Sequence, residues 1–304
     1  MRINKFAEFS ARIFLKLMLF SSFPQVSSIN IALVMMLNTS FHENSGNSEI
    51  LKDFDSSTSS NSKSEIKGKL HDIRIILDKI RAPKFKNVFC RSRLNDLVAK
   101  QVEQFGSTLV LGRAGTGKTT VATEFAKKYE HVSWFRVEST DIEWETFSQY
   151  FLTSFQDYLP GIDPANFESE AGEEIETTVL RYLETLFSEL EKVSEQNNIL
   201  IVLDDLHSVF DVDWFSTFFH GLLSFENPKI HILMMSRSKP PFPLWRLRSK
   251  QKLGVLDESL LLFTTGELEQ FVKDAKVPKS IQRTVYRTSY GRISKILELL
   301  GTDL

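Results

Sequence analysis

At 304 residues the chain has room for one large domain or two modest ones. Its 42% hydrophobic and 25% charged content is that of a globular protein, and 37 basic against 39 acidic residues leave a net charge of −2, which excludes an overall basic field and any compositional case for nucleic-acid binding. Cys90 is the single cysteine, so there is no internal disulfide and no cysteine cluster for a metal, and a reducing, cytoplasmic compartment is the simplest reading.

The first stretch, Met1 to Phe20, intersperses Arg2, Lys5, Arg12 and Lys16 among apolar residues, and a second apolar run follows at Ile31 to Leu37. Neither reaches the roughly 18 to 20 apolar residues of a membrane span, and Pro24 with its neighbouring serines separates them. Lys16 interrupts the apolar part and no clear small-residue cleavage site follows, so a signal or membrane-associated segment is the alternative rather than the leading reading. Residues 39–69 are rich in Ser, Asn, Lys and Glu, too polar to bury a core. The expectation is a poorly structured extension and linker over 1–69.

Order is expected to resume near Leu70, where LHDIRIILDKI has amphipathic spacing, before a break at Ala82-Pro83. Ser92 to Phe105 reads as a helix with Leu94, Leu97, Val98 and Val102 on one face and Ser92 as its N-cap. The next stretch, Ser107 to Thr120, reads STLVLGRAGTGKTT. Thr108 to Leu111 has the composition of a buried strand, and the chain runs on from Lys118 with helical composition. Between them Gly112, Gly117, Lys118 and Thr119 satisfy the phosphate-loop pattern G-x-x-x-x-G-K-[ST].

The chemistry explains that spacing. A polyphosphate is wrapped only where backbone N–H groups turn inward together, which needs residues free to take positive φ; Gly112, Gly115 and Gly117 supply that freedom. The helix that follows presents its unpaired amides to the anion. The cradle is thus Gly112, Arg113, Ala114, Gly115, Thr116, Gly117, Lys118, Thr119 and Thr120. Lys118 is expected on the β- and γ-phosphates of a nucleotide such as ATP or ADP, and the Thr119 hydroxyl on Mg²⁺.

Val132 to Val137 reads as a second strand. Asp141 to Leu159 reads as a helix whose aromatic stripe, Trp144, Phe147, Tyr150, Phe151 and Phe155, is taken as core packing; Glu173 to Gln196 is a long amphipathic helix. In NILIVLDD the unbroken apolar run Ile199 to Leu203 reads as a central parallel strand closing in two carboxylates. Downstream of a phosphate loop such a strand is the usual metal-side partner of the nucleotide, the Walker B element. Asp204 is expected to hold Mg²⁺, and Asp205 to orient or deprotonate the attacking water. A helix over Asp213 to Phe225 and a strand over Lys229 to Ser236 follow; the strand leads into Arg237, placed to touch a γ-phosphate. His207 and His231 read as a plain loop histidine and a plain strand histidine.

Pro240, Pro241 and Pro243 rule out helix continuation, a last strand lies within Leu253 to Phe263, and short helices are expected over Thr265 to Ala275, Ile281 to Thr288 and Ile293 to Leu300. The fold class that results is α/β: a P-loop NTPase with a mostly parallel sheet flanked by helices over 70–264, followed by a small helical subdomain over 265–304. The nucleotide then sits at the carboxyl ends of the strands, where the loop, the acidic pair and Arg237 all converge.

Taken together these residues resemble the STAND class of signal-transducing P-loop ATPases, and within it the maltose-activator and large LuxR-type transcription regulators. The resemblance rests on FCRSRLNDL, LVLGRAGTGKTT, VSWFRVE, LIVLDDLHSV, ILMMSRSKPPFPLWRLRSK and LFTTGELEQFV, and covers roughly Ile80 to Leu300. It implies that Arg91 lies on the base or ribose side of the nucleotide and that Arg237 is the sensor arginine reading the γ-phosphate. TSYGRISKILEL resembles the family's G-x-P helix start, with Gly291 as its glycine but Ile293 in place of the nucleotide-packing proline, which puts tight ADP retention in question. Regulators of this kind continue into further domains, including a DNA-binding helix-turn-helix. No such module is seen before Leu304, so a DNA-binding role is not carried over.

The function expected is an ATP/ADP-binding signal-transduction switch with slow Mg²⁺-dependent hydrolysis, Lys118, Asp205 and Arg237 carrying the chemistry. Its partner beyond the nucleotide is an unknown protein or a second copy in the ATP state. The alternatives are a small-molecule kinase or other phosphoryl-transfer enzyme, with Arg246 and Arg248 as lid candidates, and a truncated nucleotide-binding remnant.

Overall fold

The computed structural model describes residues 76–85, 89–162, 167 and 172–301. The expected extension and linker, 1–69, and the start of the amphipathic stretch at Leu70 lie outside the described residues.

The chain enters through a 3₁₀ turn, Leu77–Lys79, and then alternates strand and helix. Helix α1 (Ser92–Phe105) leads into β1 (Ser107–Leu111), α2 (Lys118–Ala126), β2 (His131–Arg136), α3 (Trp144–Thr153), α4 (Ile175–Ser194) and β3 (Ile199–Asp204). After it come a 3₁₀ turn (Leu206–Val209), α5 (Phe215–Ser224), β4 (Ile230–Ser236), α6 (Leu244–Ser249), β5 (Gly254–Leu256) and α7 (Glu258–Leu261). The helices α8 (Thr265–Asp274), α9 (Lys279–Thr288) and α10 (Ile293–Leu300) close the chain.

The sheet has five strands in the order β2-β3-β4-β1-β5, and every pairing is parallel. Strand β4 therefore lies between the strand that feeds the phosphate loop and the strand that ends in the acidic pair. Every residue of β1 and β3 is buried, which is why both read as continuous runs. Side chains alternate across the sheet. Val110, Leu200, Val202, Leu233 and Met235 pack with Leu94 and Val98 of α1 and Val121 and Phe125 of α2 in one core cluster. Elsewhere the expected aromatic stripe is core: the Phe135 ring lies 5.2 Å from that of Phe147, which packs tilted against Trp214 at 4.6 Å and edge-on to Phe218 at 4.9 Å. A separate cluster, Phe263, Leu268, Phe271, Val272, Val277, Val285 and Ile296, holds α8 to α10 together.

The structure corrects three details. Ser92 is the first helical residue rather than the cap; Arg91 takes the capping position without a side-chain bond to the helix. Helix α3 begins at Trp144 rather than Asp141, because the buried Asp141 carboxylate is already committed to the Glu138 amide (2.8 Å) and Lys79 (2.5 Å). A short helix, α6, follows directly on Pro243, since a proline blocks continuation through itself but is well suited to precede a helix.

Candidate functional site: a phosphate loop at the carboxyl edge of the sheet

In-register pairing lines up the strand ends. Leu111 of β1 is opposite Ser236 of β4, and Asp204 of β3 is opposite Arg136 of β2. The residues just past those ends, the phosphate loop, Asp205 and Arg237, share one edge. Gly115 and Gly117 take φ of +74° and +88°, the left-handed region a tight phosphate loop needs. Lys118, buried at the start of α2, donates to the carbonyls of Gly112 (2.6 Å) and Arg113 (3.2 Å). Burial pushes its pKa down while Asp205 and Asp204 hold it up. Thr116, also buried, donates to the Arg113 carbonyl (2.9 Å) and braces the loop.

The Thr119 hydroxyl donates to Oδ2 of Asp204 at 2.9 Å, while Oδ1 of Asp204 accepts the Asp205 amide at 2.9 Å. Asp204 is 2% exposed; burial raises its pKa, the Asp205 charge raises it further, and the Thr119 bond opposes both. Asp205 stands in the left-handed region at φ 53°. That turn brings its carboxylate to Arg237, which donates Nε to Oδ1 (3.2 Å) and Nη2 to Oδ2 (3.3 Å). His207 lies just behind, its Nδ1 3.8 Å from Asp205 Oδ1 and without a hydrogen-bond partner. His231 is a strand histidine as read, bonded to the Tyr129 hydroxyl at 2.8 Å.

A cavity of about 430 Å³ opens over this edge, with Ala114, Gly115, Gly117, Lys118, Thr119 and Thr120 on one side and Asp204, Asp205 and Arg237 on the other. A second, apolar cavity adjoins it across Gly117 and Thr120, walled by Phe89, Phe263, Phe271 and Ile293. Arg91 lines that second cavity, but its donors are in use. Nη1 binds the Leu261 carbonyl (2.6 Å), Nη2 the Leu262 carbonyl (2.8 Å) and Glu267 (3.0 Å), and the guanidinium lies 4.0 Å over the Phe263 ring. What Arg91 offers toward a bound molecule is thus a packed face rather than a free cation. Arg113 is turned to Glu258, paired at 3.0 Å.

Some of the site was not read from sequence. Glu258 accepts both the Arg113 amide (3.0 Å) and side chain, and also binds Arg292 just before α10 (2.8 Å). The Arg113 bonds hold its carboxyl down at about 2. The Ser294 amide, in the first turn of α10, donates to the Gly115 carbonyl at 3.2 Å. Only the folded arrangement brings a lone Glu after the last strand and a Ser near the C-terminus to the loop, and neither carries a motif.

The donors fit the groups expected here. A threonine hydroxyl and a buried carboxylate, already 2.9 Å apart, are hard oxygen ligands of the kind Mg²⁺ takes, and Lys118 stands at the mouth of a glycine-turned loop.

The sequence profile of the AAA ATPase domain matches residues 87–224. The HTH-type transcriptional regulators MalT of Vibrio campbellii and Serratia proteamaculans are 26% and 25% identical over 194 and 198 residues, covering 63% and 65% of this chain and 21% of each regulator. The match thus spans about a fifth of the length of these relatives. Among solved structures, a Walker-type ATPase of Pyrococcus abyssi aligns with a TM-score of 0.43 at 13% identity, over 75% of this chain and 69% of that one. With its parallel sheet and its loop geometry, the chain has the α/β fold of a P-loop NTPase, and its residues 87–224 are similar to the AAA ATPase domain.

Proposed function

We propose that this domain is a nucleotide switch: it holds ADP or ATP with Mg²⁺, hydrolyses ATP slowly, and reports which one is bound through the packing of α8 to α10 on the phosphate loop. The observation that carries the reading is the double contact between that loop and the C-terminal helices. Glu258 ties Arg113 to Arg292, and the Ser294 amide caps the Gly115 carbonyl. A loop that reshapes around phosphate cannot do so without addressing both contacts.

The chemistry follows from the donors in place. Lys118 would exchange the Gly112 and Arg113 carbonyls for the β- and γ-phosphates, a stronger charge-assisted pairing. Thr119 and Asp204 would hold Mg²⁺, which when bound supplies the positive charge that offsets the phosphates. Arg237 is drawn from Asp205 by a γ-phosphate and not by ADP; its departure frees the Asp205 carboxylate to orient water and accept its proton. Until then Asp205 is masked by its own ion pair, which supports a reading of slow rather than fast turnover. ATP is an intracellular metabolite, so the reading places the domain in the cytoplasm. Its output partner is another protein or a second copy of the chain engaging the α8 to α10 face in the ATP state.

The test is the nucleotide carried by the purified full chain, released by denaturation and separated by chromatography, with Lys118→Ala as control. Near-stoichiometric ADP in the parent and none in the variant is expected. Limited proteolysis should then cut differently in ADP and in a non-hydrolysable ATP analogue. Equal affinity for the two with identical cleavage would remove the switch, since a ligand shifts a conformational equilibrium only by its differential affinity.

A further inference from the structure

Four cationic side chains line the 430 Å³ cavity: Lys118, Arg237, Arg136 and Arg81. Three are already engaged. Lys118 binds loop carbonyls, Arg237 binds Asp205, and Arg136 binds Glu138 at 2.9 Å. Arg81 is exposed and makes no hydrogen bond or ion pair among the described residues. It belongs to no motif of the phosphate loop or the acidic strand, and it comes from the entering segment 76–85 rather than from the sheet.

That segment is anchored firmly. Lys79, 1% exposed, places its ammonium 2.5 Å from the fully buried Asp141 carboxylate and 4.2 Å over the Tyr150 ring, with Glu138 at 3.6 Å. Ile76 donates its amide to the Tyr150 hydroxyl at 3.3 Å. Two residues after this anchor, the base of the Arg81 side chain is held in place at the cavity wall.

The sheet order says which part of a polyphosphate Arg81 faces. The phosphate loop follows β1, and the acidic pair ends β3, two strands away across β4. Strand β2 lies beyond β3, with Arg136 in register with Asp204, and the anchor of segment 76–85 is built on the residues that follow β2. A chain of phosphates lying on the loop and reaching toward Mg²⁺ at Asp204 presents its terminal group to that far wall.

On the reading of the site as a nucleotide switch, we propose that Arg81 is a second phosphate-reading cation, delivered by the entering segment, which binds the terminal phosphate of a nucleoside triphosphate and leaves a diphosphate untouched. Asp78, on the same segment, lines the same cavity and moderates the positive charge there, so Arg81 gains most where a third phosphate is present.

The experiment uses the full chain and measures equilibrium dissociation constants for ADP and for a non-hydrolysable ATP analogue with Mg²⁺, by titration calorimetry, in the parent, Arg81→Ala and Arg81→Lys. Removing one partly exposed charge-assisted contact is expected to weaken the triphosphate about tenfold and the diphosphate less than about twofold. Arg81→Lys is expected to keep most of the preference, and thermal midpoints of the three should coincide, since Arg81 makes no hydrogen bond or ion pair among the described residues. Unchanged triphosphate affinity in Arg81→Ala overturns the proposal and leaves the switch standing. Equal losses for both nucleotides without rescue by lysine also overturn it. A parent chain that binds neither nucleotide removes the switch reading itself and this proposal with it.

Discussion

Asp204 and Asp205 are neighbours in sequence and opposites in environment. Asp204 completes β3 in extended conformation, buried and bonded to Thr119; Asp205 turns into the left-handed region and pairs with Arg237. The two substitutions should separate cleanly. Asp204→Asn keeps the Thr119 contact but loses the charge proposed to hold a divalent cation, so on that proposal steady-state phosphate release should fall on the order of 100-fold while nucleotide binding without metal changes less than about threefold. Asp205→Ala removes the carboxylate proposed to orient water and liberates Arg237. Hydrolysis should be lost, yet affinity for a triphosphate should rise by about threefold, because no ion pair has to be broken first. Parallel turnover and binding measurements on both variants check this. The pair of carboxylates was legible from the run that precedes it. The turn that points them in different directions was not, because a single left-handed Asp has no sequence signature beyond its own tolerance for that conformation.

Among the elements, α8 shows how much one carboxylate can hold. Glu267 completes a capping box with Thr264, accepting its amide at 2.9 Å, and also receives Arg91 and Arg93 at 3.0 Å each. Burial works against the charged form of Glu267, but the hydrogen bonds from Arg91, Arg93 and Thr264 overcome it and hold its carboxyl at about 2 against an ordinary 4.5. A folded-state pKa below the unfolded one means stabilisation that is complete above pH 4.5 and is lost as pH falls toward 2. Amide exchange at the start of α8 should therefore accelerate over that window, and Glu267→Gln should cost about 2 kcal/mol at neutral pH and flatten the acid response. Gly291 is the second constraint: at φ +74° an added Cβ would meet the Phe263 carbonyl oxygen at 2.8 Å, backbone that cannot step aside. Gly291→Ala should destabilise by about 2 kcal/mol in denaturant titration. The helices themselves were legible from apolar spacing. Their attachments were not: the resemblance implies only that Arg91 lies on the base or ribose side of the nucleotide, and no local pattern shows that its donors serve Leu261, Leu262 and Glu267, roughly 170 residues downstream in each case.

For the molecule as a whole, the question is whether the sheet and the C-terminal helices respond together. Glu258 is the contact to remove, since it binds Arg113 and Arg292 at once. Glu258→Ala should leave binding of either nucleotide within about threefold, both ion pairs being at least partly exposed, yet abolish the difference in protease protection of α8 to α10 between the two. Protection that still differs would assign the coupling to the Ser294 contact alone. The parallel sheet and the shared edge of loop, acidic pair and Arg237 could be read from strand runs and motif order. Glu258, Ser294 and Arg81 could not, because they are joined to the site only by the path the chain takes, and no local pattern records that path.

The central position of β4 has a consequence for how such a domain can be made or dissected. A chain that ends at residue 224 contains the phosphate loop and both aspartates, and it covers the stretch that matches the AAA ATPase domain. It lacks the strand that hydrogen-bonds to β1 on one side and to β3 on the other. In chain order the phosphate loop and the acidic pair both precede Ile230 to Ser236, so the sheet that joins them cannot be completed before that strand has been made. The loop and the acidic pair can share one sheet only once β4 is in place, as a zip closes when its slider arrives.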